Sequence, residues 1–363
     1  MGSRSAVPLG RRLRLLLACA ALGAVVSCAD ATGPDPRYPE AEAQGISPAL
    51  LDRAYVQARE TPGILSLLVQ RHGVLVAEEY FHGSAADSLN QVWSVTKSVM
   101  SILTGIALER GHLTSLDQTL ADLLPPIVDS LPEDKGRITL RQLLTMTSGL
   151  QWHELDGGGE YGRWVTSDDM IQYVLDLPWA HEPGEAFLYN TGGSHLVSVI
   201  LTEATGTSTM DFARQHLFGP LGIQEAEWWT DERGYYTGGM GLWLRPRDMM
   251  KIGELFLREG EAGGARVVST EWVRESTASF VHTGNATPFG PEYGYSWWVG
   301  NGQGRDFYFA TGYAGQFIFV VPEIDLVVVA TSSWRGLNWD TAGTQWGGVI
   351  DLIVNGVLPA VWR

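Results

Sequence analysis

Apolar residues recur along this chain with two different periods, and the change from one to the other divides it. Ser47-Pro48 with Leu50, Leu51, Ala54 and Val56 reads as a helix with a serine cap and proline in its first turn. Two strand-like runs follow, Ile64–Gln70 and Val74–Tyr80, joined by Arg71-His72-Gly73 as a hairpin. From Ser94 to Glu109 the spacing turns helical, with Val95, Val99, Ile102, Leu103 and Ile106 three and four apart. Short helical pieces broken by Pro and Gly fill the stretch from Leu113 to about Gly222: Leu140–Thr147, Ser167–Leu177, Ser194–Thr205 and Met210–Leu217. Helices near Pro246–Arg258 and Thr270–Ser279 come next. Strands then return at Tyr295–Val299, Phe307–Thr311, Phe317–Val321 and Leu326–Thr331, before a last helix over Trp339–Val354. Strands early and late with helices between predict an α+β fold, sandwich-like in its layering. An antiparallel sheet built from both ends of the chain is flanked by helices, and an all-helical subdomain is inserted over roughly 113–222.

The first thirty residues follow another pattern. Arg4, Arg11, Arg12 and Arg14 precede an apolar run from Leu15 to Val26 that is too short for an ordinary membrane span. The run ends at Val25-Val26-Ser27-Cys28, which resembles the lipobox of bacterial lipoproteins. The expectation is a signal peptide over 1–27, lipid attachment at Cys28, a polar Pro-rich tether over 28–45 and a folded domain over 46–363. The chain would then be an exported cell-envelope protein on the periplasmic side, touching the membrane only through its anchor. Removal of the leader takes away four arginines and no acid, moving the net charge from −16 to −20. Such acidity excludes a phosphate-binding surface and so nucleic acid as a partner. Beyond Cys28 there is no cysteine, so the domain relies on its core without disulfides.

Among the basic residues only Lys97, Lys135 and Lys251 are lysines; the other 22 are arginines. Lys97 lies in Ser94-Val95-Thr96-Lys97, at the head of a helix that Trp93, Val95, Val99 and Met100 mark as buried. Serine and lysine three apart on a helix share one face, one turn apart. A hydroxyl is a poor nucleophile until a base takes its proton, and a desolvated lysine can serve as that base. The helix N-terminus adds N–H donors for a developing oxyanion. A second element is His181-Glu182-Pro183-Gly184-Glu185-Ala186-Phe187-Leu188-Tyr189, where a Pro-Gly turn delivers a phenol just before a helix near Ser194. Tyr189, placed between Ser94 and Lys97, would carry a proton to and from the reaction. A third is Ala310-Thr311-Gly312-Tyr313-Ala314-Gly315 between two strands, where small residues let a substrate lie along a strand edge. Trp152, Trp164 and Tyr313 are candidates to line an acyl pocket. His72, His153, His195 and His216 read as solvated or structural, and no cofactor or metal is indicated.

Taken together these blocks resemble the serine beta-lactamase and penicillin-binding-protein superfamily, in its class C-like serine hydrolase and esterase branch. The likeness runs from about Ser47 to the C-terminus. It includes Trp93 to Ser98, Leu143 to Leu150, Pro183-Gly184-Glu185 with Tyr189 to Gly192, Gly239 to Leu242 with Arg245 to Asp248, and Phe317 to Pro322. The resemblance implies Ser94 as the acylated nucleophile, Lys97 as its activator and Tyr189 as general base. The backbone N–H groups of Ser94 and Tyr313 would form the oxyanion hole, with Thr191, Asn190, Trp152, Thr311 and Gly312 toward the substrate. Two departures stand out. The family's Tyr-x-Asn motif has Thr191 at its third place and Asn190 one place early, which leaves both as candidates for the role. The cation expected before Thr311-Gly312 is Ala310, so a substrate carboxylate lacks its usual partner unless Arg305 or Arg335 supplies one. That points to an ester, amide or peptide hydrolase before a beta-lactamase or D-alanyl peptidase, and the other alternative is a lipid-anchored protein that binds ligands without turnover.

Overall fold

The computed structural model describes residues 35–362 apart from 125–130, 155–156, 158, 285–286 and 288. The leader over 1–27 and Cys28 lie outside the described residues. No described helix is long and apolar enough to cross a membrane.

The hairpin forms as its pattern predicts. Ile64–Arg71 pairs with Val74–Tyr80, and His72 and Gly73 make the turn with φ of 51° and 77°. This hairpin is one edge of an eight-stranded antiparallel sheet. Its order is Val74–Tyr80, Ile64–Arg71, Leu326–Ser332, Gln316–Val321, Arg305–Gly312, Trp298–Gly302, Glu292–Tyr293 and Val281–His282. The first strand of the sequence therefore pairs with the last, Leu68 opposite Val329. Side chains alternate between two cores. Leu326, Val328 and Ala330 join one cluster with Phe317, Phe319 and residues of the Pro48–Glu60 and Trp339–Asp351 helices. Val327 and Val329 join the other with Ile318, Val320 and residues of the Val95–Glu109 and Pro246–Leu257 helices. Covering both faces is what makes these strands read as unbroken apolar runs.

Three differences from expectation have local causes. The tether does not run free to Gly45. Tyr38 and Ala41 are buried in the core, and the Arg71 guanidinium donates to the carbonyls of Gln44 and Gly45, which draws this segment onto the domain. The helical stretch is not walled off as a separate body. Its helices share one hydrophobic cluster with the sheet face, and short bridges such as Leu150 with Trp179 cross it. Finally, the helix expected near Ser194 spans Thr191–Thr205, because the Asn190 side chain accepts from the Gly193 N–H at 2.7 Å and starts it one turn earlier. That extra turn places Thr191 on the helix facing Lys97.

Candidate active site

Ser94 enters its helix through a constrained backbone. The Val92 N–H donates to Leu242 O at 2.9 Å, which ties the approach to the short strand Leu242–Leu244. Trp93 then takes φ of 50°, a left-handed conformation costing a bulky residue about 1–2 kcal/mol. Ser94 follows in the right-handed region, and its hydroxyl makes no capping bond to the helix it heads. It is left for chemistry. From the opposite side, the Arg305–Gly312 strand ends against the same backbone. A Cβ at Gly312 would lie 2.3 Å from Val92 O and 3.1 Å from Ser94 N, so only glycine permits the approach.

Lys97 is 1% exposed, and its ammonium position is filled by three acceptors, each at 2.8 Å: Ser94 Oγ, Thr191 Oγ1 and Gly239 O. Gly239 is confined as well, since a Cβ there would sit 2.6 Å from both Thr191 O and Thr191 Cγ2. Beneath this loop lies His195, buried, with Nε2 2.9 Å from Asp231 Oδ2 and Nδ1 accepting from the Gly238 N–H at 3.4 Å. The histidine is structural, as its context suggested. Burial pushes the Lys97 ammonium down to about 8, with the nearby Glu154 carboxyl acting in the opposite sense.

Tyr189 completes the group. Its ring stacks on Trp298 at 5.7 Å between centroids, with Phe187 and Tyr293 beside it, and Lys97 Nζ lies 4.7 Å from its ring centre. Burial holds its phenol well above the ordinary tyrosine range, and Tyr293 and Glu154 add to that, while a hydrogen bond with Ser94 works the other way. The resting phenol is protonated. A cleft of about 530 Å³ opens over Ser94 and Tyr189, walled by Trp93, Tyr161, Trp298, Tyr313, Trp339 and Trp346. Glu154 and Asp340 line it too, and no lysine or arginine does among the described lining residues.

The remaining expected residues fall into two groups. Thr191, Thr311, Gly312 and Tyr313 line the cleft with Ser94 and Tyr189. The Thr311 hydroxyl is already engaged, donating to Gln316 O at 3.0 Å and accepting from Trp346 Nε1 at 2.6 Å. The Tyr313 hydroxyl donates to Leu337 O at 3.2 Å. Asn190, by contrast, is spent as the helix cap, and Thr191 is the residue that meets Lys97. Trp152 is a correction. It lies buried below the cleft and donates its Nε1–H to Glu154 Oε2 at 2.7 Å. Trp164 is likewise core, donating to Met170 O. Neither arginine supplies the missing cation. Arg305 is buried at the far end of its strand on the carbonyls of Leu358 and Val361, and Arg335 lies over Trp334 beside a separate cavity. Among the described residues no cluster of His, Cys, Asp or Glu could hold a metal.

Glu154 lines the cleft next to these groups and was not singled out in the sequence. It is 5% exposed and accepts from the Thr191 hydroxyl at 2.7 Å, the Thr191 N–H at 3.1 Å and Trp152. The available signal was the departure at Thr191, because a hydroxyl in an amide's place needs a partner to settle its proton.

Comparison with known proteins finds matches over most of the chain. Over 325 residues the chain is 27% identical to 6-aminohexanoate-dimer hydrolase of Paenarthrobacter ureafaciens, covering 82% of this chain and 79% of that protein. Its fold matches the octameric penicillin-binding protein homologue of Pyrococcus abyssi with a TM-score of 0.66 at 21% identity, over 85% of this chain and 77% of the other. It also matches EstCE1, a hydrolase with promiscuous acyltransferase activity, with a TM-score of 0.65 at 18% identity, over 84% and 97%. The beta-lactamase family model matches residues 51–346. The chain therefore belongs to the beta-lactamase family.

Proposed function

We propose that this protein hydrolyses an ester or amide through an acyl-enzyme on Ser94. The observation that carries the reading is the 2.8 Å hydrogen bond between Lys97 Nζ and Ser94 Oγ, at the floor of a cleft where Lys97 is otherwise closed off from water. With Lys97 neutral, its lone pair takes the Ser94 proton as Oγ attacks the acyl carbon. The oxyanion then lies against the backbone N–H groups of Ser94 and Tyr313. As the bond to the leaving group breaks, the Tyr189 phenol delivers its proton to the departing oxygen or nitrogen. That leaves an ammonium at Lys97 and a phenolate at Tyr189. In the second half, the phenolate takes a proton from water, the resulting hydroxide attacks the ester, and Ser94 leaves with the proton from Lys97. One water is consumed, and every group returns to its starting state.

The lining supports a substrate class. Two carboxyl groups and an aromatic wall, with no cation among the described lining residues, favour neutral or positively charged substrates over carboxylates. A carboxylesterase or small-amide hydrolase fits this better than a beta-lactamase. The curated relative matched over four-fifths of the chain is also a hydrolase, one named for a 6-aminohexanoate dimer. The decisive test is labelling with a fluorophosphonate probe followed by mass spectrometry. An adduct on Ser94, lost in Ser94→Ala together with turnover of p-nitrophenyl esters, supports the reading. Turnover unchanged in Ser94→Ala overturns it.

The same reading includes export as a lipoprotein anchored at Cys28, on the strength of the leader and the Val25-Val26-Ser27-Cys28 stretch. Metabolic labelling with a fatty-acid analogue, lost in Cys28→Ser, is the expected result. Label retained in that variant would remove the anchor from the proposal.

A further inference from the structure

Lysine as a base has a directional problem. A neutral amine has two N–H donors and one lone pair, and Lys97 has three neighbours. Gly239 O can only accept. Ser94 must donate for the reaction to begin. Thr191 can do either, because a hydroxyl rotates. If the Thr191 proton turns toward Lys97, it occupies the lone pair, and the amine can no longer receive the proton of Ser94. An asparagine oxygen at this place would only accept and would raise no such question. A threonine does raise it.

The structure contains an answer. Oε2 of Glu154 accepts from the Thr191 N–H at 3.1 Å and from Trp152 Nε1 at 2.7 Å, two donors whose direction is fixed by the peptide and the indole ring. These pin the carboxyl in place. Its other oxygen, Oε1, accepts from the Thr191 hydroxyl at 2.7 Å. The single hydroxyl proton of Thr191 is thus committed away from Lys97, and its oxygen accepts from Lys97 at 2.8 Å. We propose that Glu154 is a positioning residue, which fixes Thr191 as an acceptor so that the Lys97 lone pair is left for the Ser94 proton. Thr191 and Glu154 together do what a single amide oxygen would do in a Tyr-x-Asn motif. The inference rests on the hydrolase reading of the same site.

Exchange of one atom should reverse the chain of donors. In Glu154→Gln the amide oxygen is held by the same two fixed N–H donors, so the amide NH₂ faces Thr191. Thr191 then accepts from the amide and turns its own proton onto Lys97. Among the described residues, Lys97 and the phenols of Tyr161, Tyr189 and Tyr293 are the titratable groups that sense Glu154, and Glu154 is the charged group that acts on Lys97. Loss of its charge therefore also moves the Lys97 titration to lower pH.

The experiment combines kinetics with NMR of lysine labelled with ¹³C and ¹⁵N in the full domain. Three lysines make the spectrum assignable, and Lys135, 3.7 Å from the Trp179 ring centre, reports that the fold is intact. In Glu154→Gln, kcat for a p-nitrophenyl ester should fall about 10- to 100-fold on its high-pH plateau, with KM little changed. The Lys97 titration should shift down in pH, and the Lys135 signal should stay in place. Adding Thr191→Val to that variant removes the hydroxyl proton that blocks the amine, while Gly239 O still accepts from Lys97. It should recover most of the plateau without returning the titration to its wild-type position. A purely structural Glu154 would lower folded yield and disturb Lys135, with no rescue by valine at 191, and that result overturns the proposal. So does an unchanged plateau in Glu154→Gln. Failure of wild-type Ser94 to take a fluorophosphonate would instead sink the hydrolase reading, and the inference with it.

Discussion

Two of the regions where this molecule buries a cation satisfy it in different ways. Where the chain's N- and C-terminal segments meet, Arg71 donates to the carbonyls of Gln44, Gly45, Ile324 and Trp362, and Arg305 to those of Leu358 and Val361. Each guanidinium is fixed by several main-chain oxygens, and none of those partners can move a proton. Burial and the neighbouring Arg305 lower the Arg71 guanidinium, yet arginine stays charged throughout the working range. At the head of the Val95–Glu109 helix, Lys97 is more deeply buried and meets one carbonyl and two hydroxyls. It lies beside a cleft, and burial brings it down to about 8, near neutral pH. Carbonyl partners around a permanent charge build a fastener. Hydroxyl partners around a titratable amine build a reagent.

The widest separation should come from Lys97→Arg. It keeps the charge and removes the base, so kcat/KM for an ester should fall about 10³-fold or more while the thermal midpoint moves little. Activity within tenfold of wild type would break the distinction. Next comes the pH profile. The base works as the free amine, so kcat/KM should rise with pH, about tenfold per unit below 8, and level off above the value to which burial lowers Lys97. A flat profile between pH 6 and 9 would show that Lys97 is not the group that must lose its proton. Gly312→Ala should cost about 10- to 100-fold in labelling rate at Ser94, since the added methyl meets Val92 O and displaces the strand from the nucleophile. At the other region the expected effect is on stability alone. Arg305→Ala removes the partner of two buried carbonyls and should lower unfolding free energy by about 2 kcal/mol in urea titration, with kcat of the folded fraction unchanged. A loss of kcat at constant stability would mean that the fastener reaches the site.

Much of the architecture was legible because its signals are local. The strand-like runs Ile64–Arg71 and Val74–Tyr80 around His72-Gly73 need only a few consecutive residues, and so does the three-and-four spacing after Ser94. Boundaries were less legible where a side chain from outside the pattern decided them. Asn190 lengthened one helix by a turn, and Arg71 drew residues 44–45 out of an apparent tether. Aromatic residues were the least legible. Trp152 and Tyr313 look alike as pocket candidates in the sequence, yet one is buried below the cleft on Glu154 and the other lines it. Composition does not say which way a ring on a loop will turn.

By itself the sequence determined that a serine and a lysine share one face of a buried helix, because their spacing of three and the helical period are properties of that segment alone. It also determined that strands from both ends must find each other, since neither set could bury two apolar faces without the other. Only the tertiary structure decided what the lysine meets. Thr191, Gly239 and Glu154 come from three other segments; Thr191 and Gly239 meet the amine within hydrogen-bonding distance, Glu154 reaches it through Thr191, and this follows from how those segments pack. Hydrogen bonds act over about 3 Å, so residues far apart in the chain count as neighbours only once the fold has closed.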